Sequence, residues 1–328
     1  MKSQKKLSLI SVLASLMLIL SGSSLAMCSC SKLDADDPKY TNPGDTGNKD
    51  EDKDKPSADD PSTDDPATDD PAVDEPGKDD PETPDTPEDP NEKEDTFNPN
   101  DLYYVRIPDD IPSQTKHYTG FYVSFNKDNH TPNYVSWELL KSEVGGSVAR
   151  TDNFWQDKSI TGCPDGNAYK GSGYDRGHMC PAADQKWSTT AMNDCFVMAN
   201  MCPQAPGLNQ KAWQTLEDKE RNWAIRDGAI WIICGPIYEP TDTQTIGSYK
   251  VRVPSSFFKA FLYLDGDNSR AIAFVYPNAV APGNMEEYAM SIDDLEKITN
   301  YDFFYALPDD IENKVEATYS FTYWNKSK

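Results

Sequence analysis

From Asp59 to Pro81 an acidic pair followed by proline returns every five residues: Asp59-Asp60-Pro61, Asp64-Asp65-Pro66, Asp69-Asp70-Pro71, Asp74-Glu75-Pro76 and Asp79-Asp80-Pro81. Neighbouring like charges repel, each proline fixes φ, and the run has almost no apolar surface to bury. Such a segment is expected to stay extended, so a core must be built from the part of the 328-residue chain that follows it. The charge divides the same way. Residues 34–96 hold 25 acidic and 6 basic residues, a net of −19, while residues 97–328 hold 30 acidic and 21 basic, a net of −9. Asp-rich repeats can also bind calcium, but a proline every fifth residue opposes the tight loop that gathers carboxylates around one ion, which favours a spacer.

Ahead of the spacer, Lys2, Lys5 and Lys6 precede an apolar run from Leu7 to Leu20. That run is short for a membrane-spanning helix of ~20 residues and is expected to be an export signal. Small residues before a cysteine are similar to a lipoprotein processing site. Ser29 before Cys30 suits cleavage better than Met27 before Cys28, so Cys30 is the expected lipidated residue and Cys28 the alternative. The expected organisation is a signal over 1–30, a tether over 31–96 and a folded domain over 97–328, exported and held at the cell envelope as an outer-membrane type lipoprotein, or otherwise secreted.

Strand-forming runs, rich in β-branched and aromatic residues and bounded by Pro, Gly, Asn or Asp, cover Leu102–Ile107, Tyr118–Asn126, Asn133–Leu140, Ala229–Gly235, Tyr249–Val253, Phe257–Leu264 and Arg270–Tyr276. Their succession predicts antiparallel pairing, with Thr131-Pro132 and Asp265-Gly266-Asp267 as hairpin turns. Helices are predicted from Asn209 to Arg226, closed by Gly228, and from a Ser291 cap through Ile298. The class is therefore α+β. Five cysteines, Cys163, Cys180, Cys195, Cys202 and Cys234, lie in the folded part. Export makes disulfides the default, with one thiol left over, and Cys180 and Cys202, each two residues beyond a motif residue, form the expected pair. No C-x-x-C or His-rich spacing suggests structural zinc.

The chemistry concentrates in three blocks: Asp175-Arg176-Gly177-His178, Asn200-Met201-Cys202-Pro203-Gln204, and Leu208-Asn209-Gln210-Lys211-Ala212-Trp213-Gln214-Thr215-Leu216-Glu217, followed by Arg221. An imidazole can take a proton from water near neutral pH, an oxygen-ligated cation can stabilise a leaving alkoxide, and arginine can grip a phosphate through two parallel hydrogen bonds. Together they could cut phosphodiesters. On a regular helix Asn209, Trp213, Glu217 and Arg221 share one arc, where Glu217 and Arg221 could equally form an ordinary i,i+4 pair. Arg176 could likewise pair with Asp175. The zinc-protease H-E-x-x-H, the G-x-S-x-G elbow and the phosphate-cradling P-loop are missing from the sequence.

These blocks, in this order and spacing, resemble the signature of the DNA/RNA non-specific endonucleases, the ββα-metal group that includes secreted bacterial nucleases and endonuclease G. The resemblance runs from Asp101 to the C-terminus. It implies a ββα-metal nuclease fold with a mainly antiparallel central sheet and flanking helices, one carrying the metal ligand. It also implies His178 as general base, Asn209 as the direct ligand of a largely hydrated Mg²⁺ for which Mn²⁺ could substitute, Glu217 holding waters of the metal, and Arg176 and Arg221 clamping the phosphate of a DNA or RNA substrate. Asp175 and Asn200 would support the site, although Asn200 could equally form a turn before Cys202-Pro203. An upstream Arg-Thr-Arg-Asn stretch of the family reads Arg150-Thr151-Asp152-Asn153 here, which leaves the role of Arg150 open. A surface-tethered binding lipoprotein with an inactive nuclease-like domain is the alternative.

Overall fold

The computed structural model describes residues 97–326. The expected signal, the lipidated Cys30 or Cys28 and the acidic tether lie outside the described residues. Eleven strands run in chain order: β1 (Gln114–Tyr118), β2 (Phe121–Asn126), β3 (Thr131–Leu140), β4 (Asp175–His178), β5 (Met201–Gln204), β6 (Ala229–Ile237), β7 (Thr245–Ile246), β8 (Val251–Arg252), β9 (Ser256–Tyr263), β10 (Arg270–Pro277) and β11 (Ala289–Met290). Seven form one sheet in the order β1-β2-β3-β6-β9-β10-β11, with every pairing antiparallel. Although β3 and β6 are neighbours, residues 141–228 separate them in the chain, and all three motif blocks fall in that excursion.

Side chains of the central strands alternate between two buried faces, so these strands read as nearly unbroken apolar runs. Val135, Trp137, Ile230, Ile232, Phe257, Phe261, Ile272 and Phe274 point into one core, together with Met179, Leu208, Trp213, Leu216 and Trp223 from the excursion. Trp231, Ile233, Phe258, Ala260, Leu262, Ala271 and Ala273 point into the other. The helices are α1 (Thr189–Asp194), α2 (Gln214–Asp227), α3 (Ile292–Thr299), α4 (Asp309–Ala317) and α5 (Phe321–Trp324). α2 covers the first face, through Leu216 and Trp223, whereas α3 and α4 cover the second through Ile292, Leu295 and Val315. A buried ion pair fixes α2 to the sheet: Lys259 on β9 donates to Glu220 at 2.9 Å, and neither side chain is exposed. The Lys259 ammonium also lies over the Trp213 ring, 4.9 Å from its centroid. Burial opposes its charge, but Glu220 outweighs that and holds Lys259 above its ordinary range.

Several expectations need correction. The strand expected over Leu102–Ile107 is a 3₁₀ turn, Pro99–Tyr103, followed by a single bridge between Arg106 and Asp302. Pro99 pre-sets the turn's φ, and the Asn98 side chain accepts from the Asn100 amide at 3.1 Å. The run Tyr118–Asn126 is broken at Gly120, whose φ of +86° turns the chain and lets the polar Gln114–Tyr118 pair back as β1. Thr131-Pro132 is not the hairpin turn. Both residues begin β3, and Pro132 faces Phe125 where the register slips, a place where a missing amide costs little. Tyr249–Val253 yields only the two-residue β8. The Ser291 cap forms as expected, its hydroxyl accepting from the Asp294 amide at 3.2 Å. All five cysteines of the described residues are buried free thiols, so the expected Cys180–Cys202 disulfide is not formed. Cys202 stands opposite Gly177 in the β4–β5 ladder, whereas Cys180 lies beyond the end of β4, where its sulfur accepts from Gln185 at 3.2 Å.

Candidate active site

The first two motif blocks pair with each other. β4 and β5 form a two-stranded antiparallel ribbon in the register Asp175↔Gln204, Arg176↔Pro203, Gly177↔Cys202 and His178↔Met201. Strand alternation sends Asp175 and Gly177 to one side and Arg176 and His178 to the other. A Cβ at Gly177 would collide with the Gln204 side chain, so close strand packing explains this glycine. Beyond the ribbon, the fully buried Asn200 clamps the backbone at Cys180. Its Oδ1 accepts from the Cys180 amide, and its Nδ2 donates to the carbonyls of Cys180 and Cys195, each at 2.9 Å. Asn200 therefore fixes the chain two residues past His178.

His178 is 8% exposed and lies between two aromatic rings, 5.0 Å from the Phe196 centroid and 5.7 Å from that of Phe154. A guanidinium stacks on each ring: Arg176 over Phe154 at 3.8 Å and Arg150 over Phe196 at 4.8 Å. Burial, then the charges of Arg150 and Arg176, push the imidazole down to about 3, against a weaker upward pull from the Arg176 main chain. The ring is therefore neutral, and its Nε2 has no hydrogen-bond partner among the described residues. The excursion closes around it because the Trp155 amide donates to the Phe196 carbonyl at 3.2 Å and Met198 donates to Trp155 at 2.8 Å. Arg176 makes no ion pair among the described residues, whereas Arg150 contacts Asp152 at 2.6 Å. The aspartate at the position of the family's second arginine thus shares the charge of Arg150.

The third block opens as a π-helical turn, Leu208–Trp213, and continues as α2. One regular helix from Asn209 was expected. Instead the wider turn displaces Asn209 relative to Glu217 and Arg221, while Trp213 is fully buried in the core. Asp175 reaches across from β4, its Oδ2 accepting from Asn209 Nδ2 and Gln210 Nε2, both at 2.9 Å. With its NH₂ group held, Asn209 keeps its carbonyl oxygen for another partner. That oxygen is a hard donor suited to a divalent cation. Further along, burial pushes Glu217 up to about 7, with Lys259 and Arg221 pulling down and Asp184 and Asp218 pushing up. A carboxylate kept from ionising in this way gains from a nearby cation, so the donor set fits one.

Arg221 pairs with Asp184 at 2.9 Å and with Asp218, and not with Glu217. The fully buried Asp184 also accepts from Trp137 Nε1 at 3.2 Å. Asp184, Phe154 and Phe196 had no signal in the sequence beyond their nearness to the blocks. In all, β4 links two groups of expected residues: Asp175 holds Asn209 at one end, and His178 sits with Arg150 and Arg176 at the other.

A family model described as DNA/RNA non-specific endonuclease matches residues 98–310. A nuclease from Nostoc sp. is 34% identical over 214 residues, covering 60% of this chain and 74% of that protein. The mitochondrial nuclease EXOG of Danio rerio is 31% identical over 212 residues, covering 60% of this chain and 62% of that protein. Endonuclease G of Homo sapiens is 35% identical over 141 residues, which are 39% of this chain and 48% of that protein. Against these two mitochondrial relatives, then, the chain spans about half to three fifths of their length. The fold is similar to a chain in the crystal structure of an EndoG/EndoGI complex, with a TM-score of 0.57 and 24% identity, covering 66% of this chain and 93% of that one. β4, β5 and the helix that follows are the ββα unit of a ββα-metal fold.

Proposed function

The chain belongs to the DNA/RNA non-specific endonuclease family, a family of metal-dependent nuclease enzymes, and on that premise we propose that it hydrolyses internal phosphodiester bonds of DNA or RNA with little sequence specificity. The observation that carries this reading is His178: a neutral imidazole, unpartnered at Nε2 and flanked by two guanidiniums. Nε2 takes the proton from the attacking water, and the Phe154 and Phe196 rings on either side hold the imidazole in place. The two arginines make the empty site a poor place for an imidazolium. An arriving phosphate offsets them and raises the basicity of the ring when it is needed.

Arg176, free of carboxylate partners among the described residues, grips the phosphate and stabilises the charge that grows on its oxygens in the transition state. Arg150 is the second cation, tempered by Asp152. Arg221 adds its charge from a position fixed by Asp184. Asn209 Oδ1 would hold the cation, Mg²⁺ with Mn²⁺ as substitute, and Glu217 would hold its waters. When bound, that cation stabilises the leaving oxygen. Asp175 keeps the carbonyl side of Asn209 turned outward, and Asn200 holds the strand that presents His178.

The further organisation belongs to the same proposal: an export signal over 1–30, lipidation at Cys30, a spacer over 31–96 and the nuclease domain over 97–328 at the cell envelope. It is supported by the charge and apolar pattern of the N-terminal third. The test is digestion of plasmid DNA and of RNA by the full chain, with Mg²⁺ titrated and with EDTA. Nicking that requires metal and vanishes in His178→Ala supports the reading. Binding without cleavage at any metal concentration would establish an inactive, tethered binding domain instead.

A further inference from the structure

We propose that Asp293, Glu296 and Glu316 form a second metal site, of the calcium type, which ties α3 to α4 on the face of the sheet opposite His178. Each of the three brings one carboxylate oxygen within 4.8 Å of the others. Asp293 and Glu296 are one helical turn apart on α3 and so share a face, and Glu316 comes from the last turn of α4. Glu316 is only 6% exposed, and its Oε1 has no hydrogen-bond partner among the described residues. A buried, unpartnered carboxylate facing two others needs a cation or a proton.

No protein cation fills that need among the described residues. Lys297 and Arg106, which line the adjoining cleft, are paired with Asp294 at 2.8 Å and Asp302 at 3.3 Å. Glu296 accepts one hydrogen bond, at 2.8 Å, from the Phe303 amide, and this fixes its carboxylate in place. Calcium suits the spacing. Ca–O distances of about 2.3–2.6 Å let one ion bridge oxygens up to roughly 5 Å apart, and the open cleft leaves room for the waters that complete a six- to eightfold shell. Magnesium, at about 2.0–2.1 Å with strict octahedral geometry, suits three carboxylates fixed on two separate helices less well than the more flexible calcium shell. Glu316 lies beyond residue 310, where the family match ends, while Asp293 and Glu296 lie within it, and none of the three belongs to the residues of the catalytic reading. Burial first, then Glu296, Glu312, Asp302 and Asp293, push the Glu316 carboxyl up to about 9 in the absence of an ion, which makes a shared proton the competing account.

The test is calorimetric titration of CaCl₂ into the full chain carrying Asn209→Ala, with thermal melts in parallel. The expected result is heat from one ordered site and a Tm raised by about 5–10 °C at a hundredfold excess over Kd. Adding Glu316→Gln should abolish both responses while leaving the calcium-free Tm no lower. Asp293→Asn, at a partly exposed position that does not threaten the fold, should weaken binding at least about tenfold. Two results overturn the proposal. No heat and no change in Tm up to about 10 mM calcium would mean that a proton satisfies Glu316. Calcium binding undiminished in both Asp293→Asn and Glu316→Gln would put the ion elsewhere, for instance on the Asp-rich repeats.

Discussion

Arg150 and Arg176 both press on His178 through the aromatic rings they stack against, so removing one relieves part of the pressure on the imidazole. On the proposed reading, a lowered pKa keeps the His178 imidazole neutral, as a base must be, while pH falls through the range where a free imidazole near 6.5 would protonate. The acid limb of kcat/KM is therefore expected to show no step at 6.5 due to His178, and Arg150→Ala is expected to move that group's titration upward, as followed by the NMR shifts of the ring. A pKa of 6.5 for the ring in the wild-type protein would contradict this account. His178→Ala should lower turnover by ~10²–10⁴-fold with an unchanged circular dichroism spectrum. Asp175→Asn replaces an acceptor by a group that can also donate, so the Asn209 amide loses its fixed orientation. Metal half-saturation should rise about 10–100-fold, with a smaller fall in maximal rate. At this scale the sequence was informative wherever a residue type is rare. His178 is one of three histidines, and it stands in a compact block. Phe154, Phe196 and Asp184 were not legible, since nothing in their local spacing separates a ring that borders a base from one that fills a core.

The first face of the sheet receives α2 through Lys259 and Glu220, a contact made in the middle of β9, where an apolar residue would be expected. Glu220→Gln should destabilise the fold by about 3–5 kcal/mol in urea denaturation, because it leaves a buried ammonium unpaired. Replacing both partners, Glu220→Leu with Lys259→Met, should recover most of that loss. If the single variant proves as stable as the double, the pair does not hold the helix. Strands in the sheet interior were readable as β-branched and aromatic runs, and the Ser291 cap was readable from its hydroxyl. β1 was missed because Gln114-Thr115-Lys116-His117 has an edge-strand composition with few apolar residues, and β4 and β5 because they were read as motifs and not as a ribbon. The π-turn was invisible for a different reason. Both helix types satisfy the same apolar pattern over one turn, and the choice is made by how Trp213 seats under Lys259 and how Asn209 meets Asp175.

Across the whole molecule, the folded part is only moderately acidic, and most of the negative charge belongs to residues 34–96, with a net of −19. Removing residues 31–96 should leave turnover on short oligonucleotides unchanged. On long DNA at low salt the truncated protein should bind more tightly, and the difference should fade as the Debye length falls to ~8 Å near physiological ionic strength. Salt-independent binding differences would assign the segment a role other than repulsion. The sheet itself also sorts charge. On one side stand Arg150 and Arg176, and on the other α3 and α4 present Asp293, Asp294, Asp309, Asp310 and Glu312. If its substrate is nucleic acid as proposed, a strand drifting toward the helical back is expected to meet a barrier, and one drifting toward the ribbon an attraction. On the proposed function the molecule is expected to be turned during approach, like a compass needle in a field, so that a strand would land with its backbone already facing the histidine.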